Sequence, residues 1–106
     1  MEIQQLRIFR EVARELSFTQ AAKNMHCAQS TVTAQIKNLE TSLHVTLFRR
    51  RGRRPIELTT AGVLLQFRAG QILQAVDATN REVRDAAHRG AEQPLGVRTP
   101  CSSARV

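Results

Sequence analysis

Within the nine positions from Gln29 to Lys37 the sequence sets Gln29, Ser30, Thr31, Thr33, Ala34, Gln35 and Lys37, mostly short, polar, hydrogen-bonding side chains. The Glu/Lys mixture usual on a solvated helix is missing, and a face of this kind is suited to lie in a groove and exchange hydrogen bonds with its walls. A second cluster follows at once: Arg49, Arg50, Arg51, Arg53 and Arg54 are five arginines in six residues. Like charges packed so densely repel one another unless an anion relieves them, which favours a polyanionic partner over a merely solvated loop. Between Phe18 and Ile56 these arginines, Lys23 and Lys37 oppose Glu40 alone, so +6 of the chain's net +7 is concentrated there. A local excess of that size points to nucleic acid or an anionic membrane surface. Because the arginines sit in a loop and not along one helical face, a basic amphipathic membrane binder is disfavoured.

Other chemistries find little support. His26, His44 and His88 fall in three different elements with no paired carboxylate or nucleophile, so no catalytic set assembles and the chain does not read as an enzyme. Cys27 and Cys101 show neither CxxC nor Cys/His spacing, which argues against a metal site and against a disulfide scaffold. Reduced thiols are expected, with Cys27 as a buried structural residue closing a helical hairpin. No cofactor motif is present. No stretch approaches the roughly 20 apolar residues of a membrane span. Glu2, Gln4 and Gln5 are unlike the start of a signal peptide, so a cytoplasmic location is expected.

The elements that must position the two clusters follow from periodicity. A chain of 106 residues, 42% of them hydrophobic, can bury one modest core. Residues 3–16 place Ile3, Leu6, Phe9, Ala13 and Leu16 at steps of three and four, the stripe of a first helix. Ser17 and Gln20 have the form of a capping box with Phe18 as an apolar plug beside it, so a short second helix is expected over residues 19–25, where Ala21 and Ala22 allow close approach. After the break at His26, Cys27 and Ala28, a third helix over residues 29–43 buries Val32, Ile36, Leu39 and Leu43. Two helices joined by so short a turn must cross steeply, which is helix-turn-helix geometry.

Residues 45–58 read as a two-stranded wing, with Val45, Leu47 and Phe48 before the arginines, Gly52 for a positive φ at the tip, Pro55 at a strand's first residue, and Ile56, Glu57 and Leu58 after. Thr59 can cap a long helix reaching to about residue 88, on the order of 45 Å at about 1.5 Å per residue. Leu65, Ala69, Ile72, Val76, Thr79, Val83 and Ala86 recur at alternating steps of four and three, the seam of a helix packed on another helix, so a homodimer is expected through this element. Gly62 and Gly70 weaken the helix by about 1 kcal/mol each, a cost that close backbone approach offsets. The fold class is therefore mainly α: a winged helix-turn-helix of three helices and a two-stranded wing, followed by a long dimerisation helix. Its segments are residues 1–58 for the winged helix-turn-helix, 59–89 for the linker helix and 90–106 for a flexible tail.

Assembled in this order, the residues resemble the N-terminal part of LysR-type transcriptional regulators over positions 1–89. The resemblance is carried by Leu6 and Phe9, by Phe18-Thr19-Gln20-Ala21-Ala22, by the run from Gln29 to Ile36 leading to Leu39-Glu40 and Leu43, by Leu47-Phe48 with Arg50, and by Leu58-Thr59 with Ala61-Gly62. It implies a third helix in the major groove of double-stranded DNA, a wing on the backbone or in the adjacent minor groove, and linker helices pairing antiparallel, with tetramers where a full-length form exists. Base and backbone contacts would fall on Gln29, Ser30, Thr31, Thr33, Ala34 and Gln35, and on Arg50, Arg53 and Arg54; Lys37 adds phosphate attraction.

Three positions depart from the family pattern. Ala28 stands where serine usually caps the third helix, a loss of about 1 kcal/mol. Ala34 stands where many relatives carry arginine. His44 replaces the glycine that commonly follows Leu43, so backbone strain is expected there. Relatives continue into a sizeable effector-binding domain, whereas residues 90–106 do not resemble its first strand. An alternative role with the same residues is an interference module, in which the long helix captures a full-length regulator.

Overall fold

The computed structural model describes residues 1–50 and 56–90, and its elements are α1 (Ile3–Glu15), α2 (Phe18–Asn24), α3 (Gln29–Leu43), β1 (Phe48–Arg49), β2 (Glu57–Leu58) and α4 (Thr60–Gly90). The expectations for Gly52, Arg53, Arg54, Pro55, Cys101 and the tail lie outside the described residues. The chain divides into one compact unit from Met1 to Gln74 and a second that begins at Ala75.

The first unit is built around one apolar core, to which α1 contributes Leu6, Phe9 and Val12, α2 Ala21 and Ala22, and α3 Val32, Ile36 and Leu39. The α1 and α3 sets lie at helical spacing, so one face of each of these helices is removed from water, while α2 buries the adjacent Ala21 and Ala22. The stripe expected on α1 is trimmed at both ends: Ile3 and Leu16 are exposed, while Ile8 and Val12 are buried. Leu16 leaves the helix in the left-handed region at φ 51°, its N–H still donating to the Val12 carbonyl, and so cannot continue the stripe. Ser17 caps α2 by accepting from the Gln20 N–H at 3.0 Å, but the Gln20 side chain turns to Asn24 instead of completing a capping box. Cys27 packs against the core but is half-buried, short of the full burial expected of it.

Helix α3 begins without a side-chain cap, since Ala28 has no acceptor to offer. It ends at His44, whose φ of 58° is the positive value that glycine adopts without cost. The His44 N–H donates to the Thr41 carbonyl and the Val45 N–H to the Glu40 carbonyl, a paired stop that satisfies the last carbonyls of the helix. His26, in the turn between α2 and α3, is also left-handed at φ 57°. The short turn that sets the crossing of the two helices thus rests on a third non-glycine residue in an uncommon conformation.

The wing is antiparallel, with Phe48 opposite Leu58 and Arg49 opposite Glu57. Leu47, Phe48 and Ile56 bury its base in the core. The Phe48 ring lies 5.4 Å from that of Phe9 and 5.8 Å edge-on from that of Phe18. A pair this short would not persist alone. The Glu40 carboxylate accepts from the Leu47 N–H at 2.7 Å and the Phe48 N–H at 3.3 Å, fastening the wing to α3. Thr59 closes the other side: its hydroxyl donates to the Thr46 carbonyl and accepts from the Gly62 N–H, capping α4 while holding the segment that leads into β1.

In α4, Ala69 and Leu73 are buried in the core of the first unit, and Leu65 and Ile72 pack against it. That corrects the expectation of one dimer seam along the whole helix. Ala69 has no exposed surface to give a partner, and Leu65 and Ile72 give much of theirs to their own chain. In the second unit Val76 is half-buried, and Thr79 and Val83 are exposed.

Candidate nucleic-acid interface

The core face of α3 fixes which side chains remain outside. Gln29, Ser30, Thr31, Ala34 and Lys37 are exposed, and Thr33 and Gln35 are half-buried at the margins. All seven polar-face positions named from the sequence therefore keep accessible surface. Lys37 and Thr33 lie along one edge of the helix. Together with Phe18, Arg50 and Ile56 they line a cavity of about 400 Å³ between α3 and the base of the wing. The structure thus brings the polar helix and Arg50 to one side. Arg53 and Arg54 fall outside the described residues.

Four supporting residues were not singled out from the sequence as parts of this surface. Phe18 places its ring under Arg50, whose guanidinium carbon stands 5.8 Å from the ring centroid. An aromatic face at that distance attracts the cation and restricts where it points. Thr19 donates its hydroxyl to Gln29 Oε1 at 2.9 Å, linking α2 to the first residue of α3. Gln5, on the buried side of α1, donates from Nε2 to Gln35 Oε1 at 3.3 Å. Glu40 holds the wing, as described above. Glu40 stands out in the sequence as the lone acid in a strongly basic stretch. The others act through contacts between residues 10 to 32 positions apart, which periodicity does not reveal.

Away from this face, α1 and α2 are cross-linked by Asn24, whose amide nitrogen donates to Glu11 at 2.6 Å and to Glu15 at 2.9 Å. Glu11 also pairs with Arg14. The Asn24 hydrogen bond, and after it the one from Arg14, holds the Glu11 carboxyl below its ordinary range. Among the described residues no group of three or more His, Cys, Asp or Glu is placed to hold a metal ion, and no helix is long and apolar enough to cross a membrane.

The description "Bacterial regulatory helix-turn-helix protein, lysR family" matches residues 3–63. The chain is 43% identical over 84 residues to the HTH-type transcriptional regulator YofA of Bacillus subtilis, covering 79% of this chain and 29% of that one. It is 39% identical over 85 residues to a probable nitrogen assimilation transcriptional activator of Synechococcus elongatus, covering 80% and 27%. The chain thus spans under a third of the length of these curated relatives. Among solved structures, the CbnR_DBD-DNA complex is similar with a TM-score of 0.78 at 38% identity, covering 82% of this chain and 99% of that one. The BenM_DBD/catB site 1 DNA complex is similar at 0.77 and 37%, covering 82% and 96%. With more than half of its residues matched by the family and its fold shared with these structures, the chain belongs to the LysR family of bacterial regulatory helix-turn-helix proteins.

Proposed function

We propose that this chain binds double-stranded DNA sequence-specifically as the DNA-binding module of a transcription regulator. Helix α3 lies in the major groove and the wing lies on the backbone or in the adjacent minor groove. The observation that carries the reading is that Thr33 and Lys37 from α3 and Arg50 from the wing line one cavity, so a single duplex can meet both elements. Arg50, Lys37 and, beyond the described residues, Arg53 and Arg54 supply phosphate attraction through counterion release; Gln29, Ser30, Thr31, Thr33, Ala34 and Gln35 face the base edges. With alanine at position 34, the thymine methyl is the natural contact for that residue. The similar CbnR and BenM structures are DNA complexes, which supports the same partner here.

Residues 1–58 form the DNA-binding unit of this proposal and residues 59–89 the linker that joins two copies. Homodimer formation through α4 is supported by the large apolar side chains it leaves exposed: Val63, Leu64, Phe67 and Val83. The role is binding without catalysis, in the cytoplasm where the DNA partner resides. Selection of bound fragments from random duplex DNA tests it. The expected result is enrichment of a shared, interrupted and roughly palindromic sequence. Retention of random DNA with no shared sequence contradicts specific reading, and no retention at all favours capture of another regulator through α4.

A further inference from the structure

Gln5 is nearly buried at 8% exposure, and both ends of its amide are engaged. Its Oε1 accepts from the backbone N–H of Glu2 at 3.1 Å, and its Nε2 donates to Gln35 Oε1 at 3.3 Å. The orientation of this amide is not free. A backbone N–H can only donate, so the atom of Gln5 facing Glu2 must be the oxygen, and the atom facing Gln35 must be the nitrogen. Gln35 must answer with its own oxygen. Its amide nitrogen has no protein partner among the described residues and is the end left over on a half-buried side chain at the edge of the polar face.

We propose that Gln5 is a positioning residue for DNA readout. It locks the Gln35 amide with its oxygen toward α1 and its donors outward, so that Gln35 selects acceptor edges. The inference rests on the DNA-binding reading above and deepens it. A glutamine free to turn reads adenine through both amide atoms, the oxygen accepting from N6 and the nitrogen donating to N7. A glutamine whose oxygen is held inward offers donors alone, which match the paired acceptors O6 and N7 of guanine or O4 of thymine, whereas adenine sets its N6 donor beside N7 and cytosine presents only the N4 donor. Gln29 provides the contrast. Its partner is the Thr19 hydroxyl, which can donate or accept, so that contact imposes no polarity and leaves either end of the Gln29 amide available. Two glutamines of the same helix are thereby given different reading rules by residues outside it.

The test compares random-duplex selections by the wild-type chain, Gln5→Glu, Gln35→Ala and the double variant. In Gln5→Glu one carboxylate oxygen still accepts from Glu2 N–H, while the other faces Gln35 as an acceptor and turns its amide to present oxygen outward. At the base pair whose preference Gln35→Ala removes, the wild type is expected to favour guanine or thymine by about tenfold over adenine or cytosine. Gln5→Glu is expected to reverse that preference toward adenine or cytosine, and to have no effect on it once position 35 is alanine. Where Gln5→Glu lowers helix content by circular dichroism, Gln5→Met serves in its place, and preference at that pair is then expected to flatten without reversing. The inference is overturned if Gln35→Ala changes no base preference. It is also overturned if position 5 variants leave intact a preference that Gln35→Ala removes. A wild-type chain that enriches no sequence overturns the DNA-binding reading itself, and this inference with it.

Discussion

Arg50 shows how one side chain is prepared before any ligand arrives. A free arginine loses rotamer freedom on binding a phosphate; with the Phe18 ring 5.8 Å from its guanidinium carbon, part of that ordering is already done. Arg50→Ala is expected to weaken binding to specific and random duplexes alike and to flatten the slope of log K against log salt by about one unit, as measured by fluorescence anisotropy across salt concentrations. An unchanged slope would remove Arg50 from the phosphate-contacting set. Glu11 affects stability by a different route. Its folded carboxyl sits below the ordinary value of 4.5, chiefly through the Asn24 hydrogen bond and then through Arg14. A depressed acid stabilises the fold above its unfolded value, and the contribution is lost as pH falls through the folded value. Glu11→Gln should therefore lower the melting temperature at pH 7 and flatten its decline below about pH 4.5. A decline as steep as the wild type's would show that other carboxylates carry the acid sensitivity.

Among the elements, the junction of wing and α4 is the tightest. A Cβ added at Gly62 would fall on the Leu47 carbonyl oxygen and 2.8 Å from Leu58 Cδ2, whereas one added at Gly70 meets nothing within 4 Å. The same substitution should then have opposite signs. Gly62→Ala is expected to destabilise by about 1–3 kcal/mol through overpacking, and Gly70→Ala to stabilise by about 0.5–1 kcal/mol through helix propensity, both read from urea midpoints. Ala28→Ser should restore a cap to α3 and add about 1 kcal/mol. The elements themselves were largely legible in the sequence. The bounds of α3 and the Ser17 and Thr59 caps are written in local residue types, and local hydrogen bonding enforces them, whereas the strain at His44 follows from the family resemblance, in which glycine is common there. The heptad seam misled because a face packed on its own core and a face packed on a partner share one period. Residues 65, 69 and 72 satisfy that period against the core of their own chain. Gln5, Thr19 and Phe18 were missed as site residues for the complementary reason: each works through a partner in another element.

For the whole molecule, the unresolved demand is cover for α4. Phe67 is 61% exposed and Val83 62%, large apolar surfaces that a single chain leaves in water. Phe67→Glu is expected to weaken self-association at least about tenfold by sedimentation equilibrium while leaving the helix content of the first unit unchanged, since its side chain is outside the core. An unaltered dimer would move the interface elsewhere. The central claim is that the polar face of α3 and the start of the wing meet one duplex. Amide chemical-shift mapping of the labelled chain, titrated with a selected duplex, tests it most directly. The largest shifts are predicted for residues 29–37 and for Arg49 and Arg50. Shifts concentrated on α1 around Arg7, Arg10 and Arg14, with α3 unmoved, would contradict it.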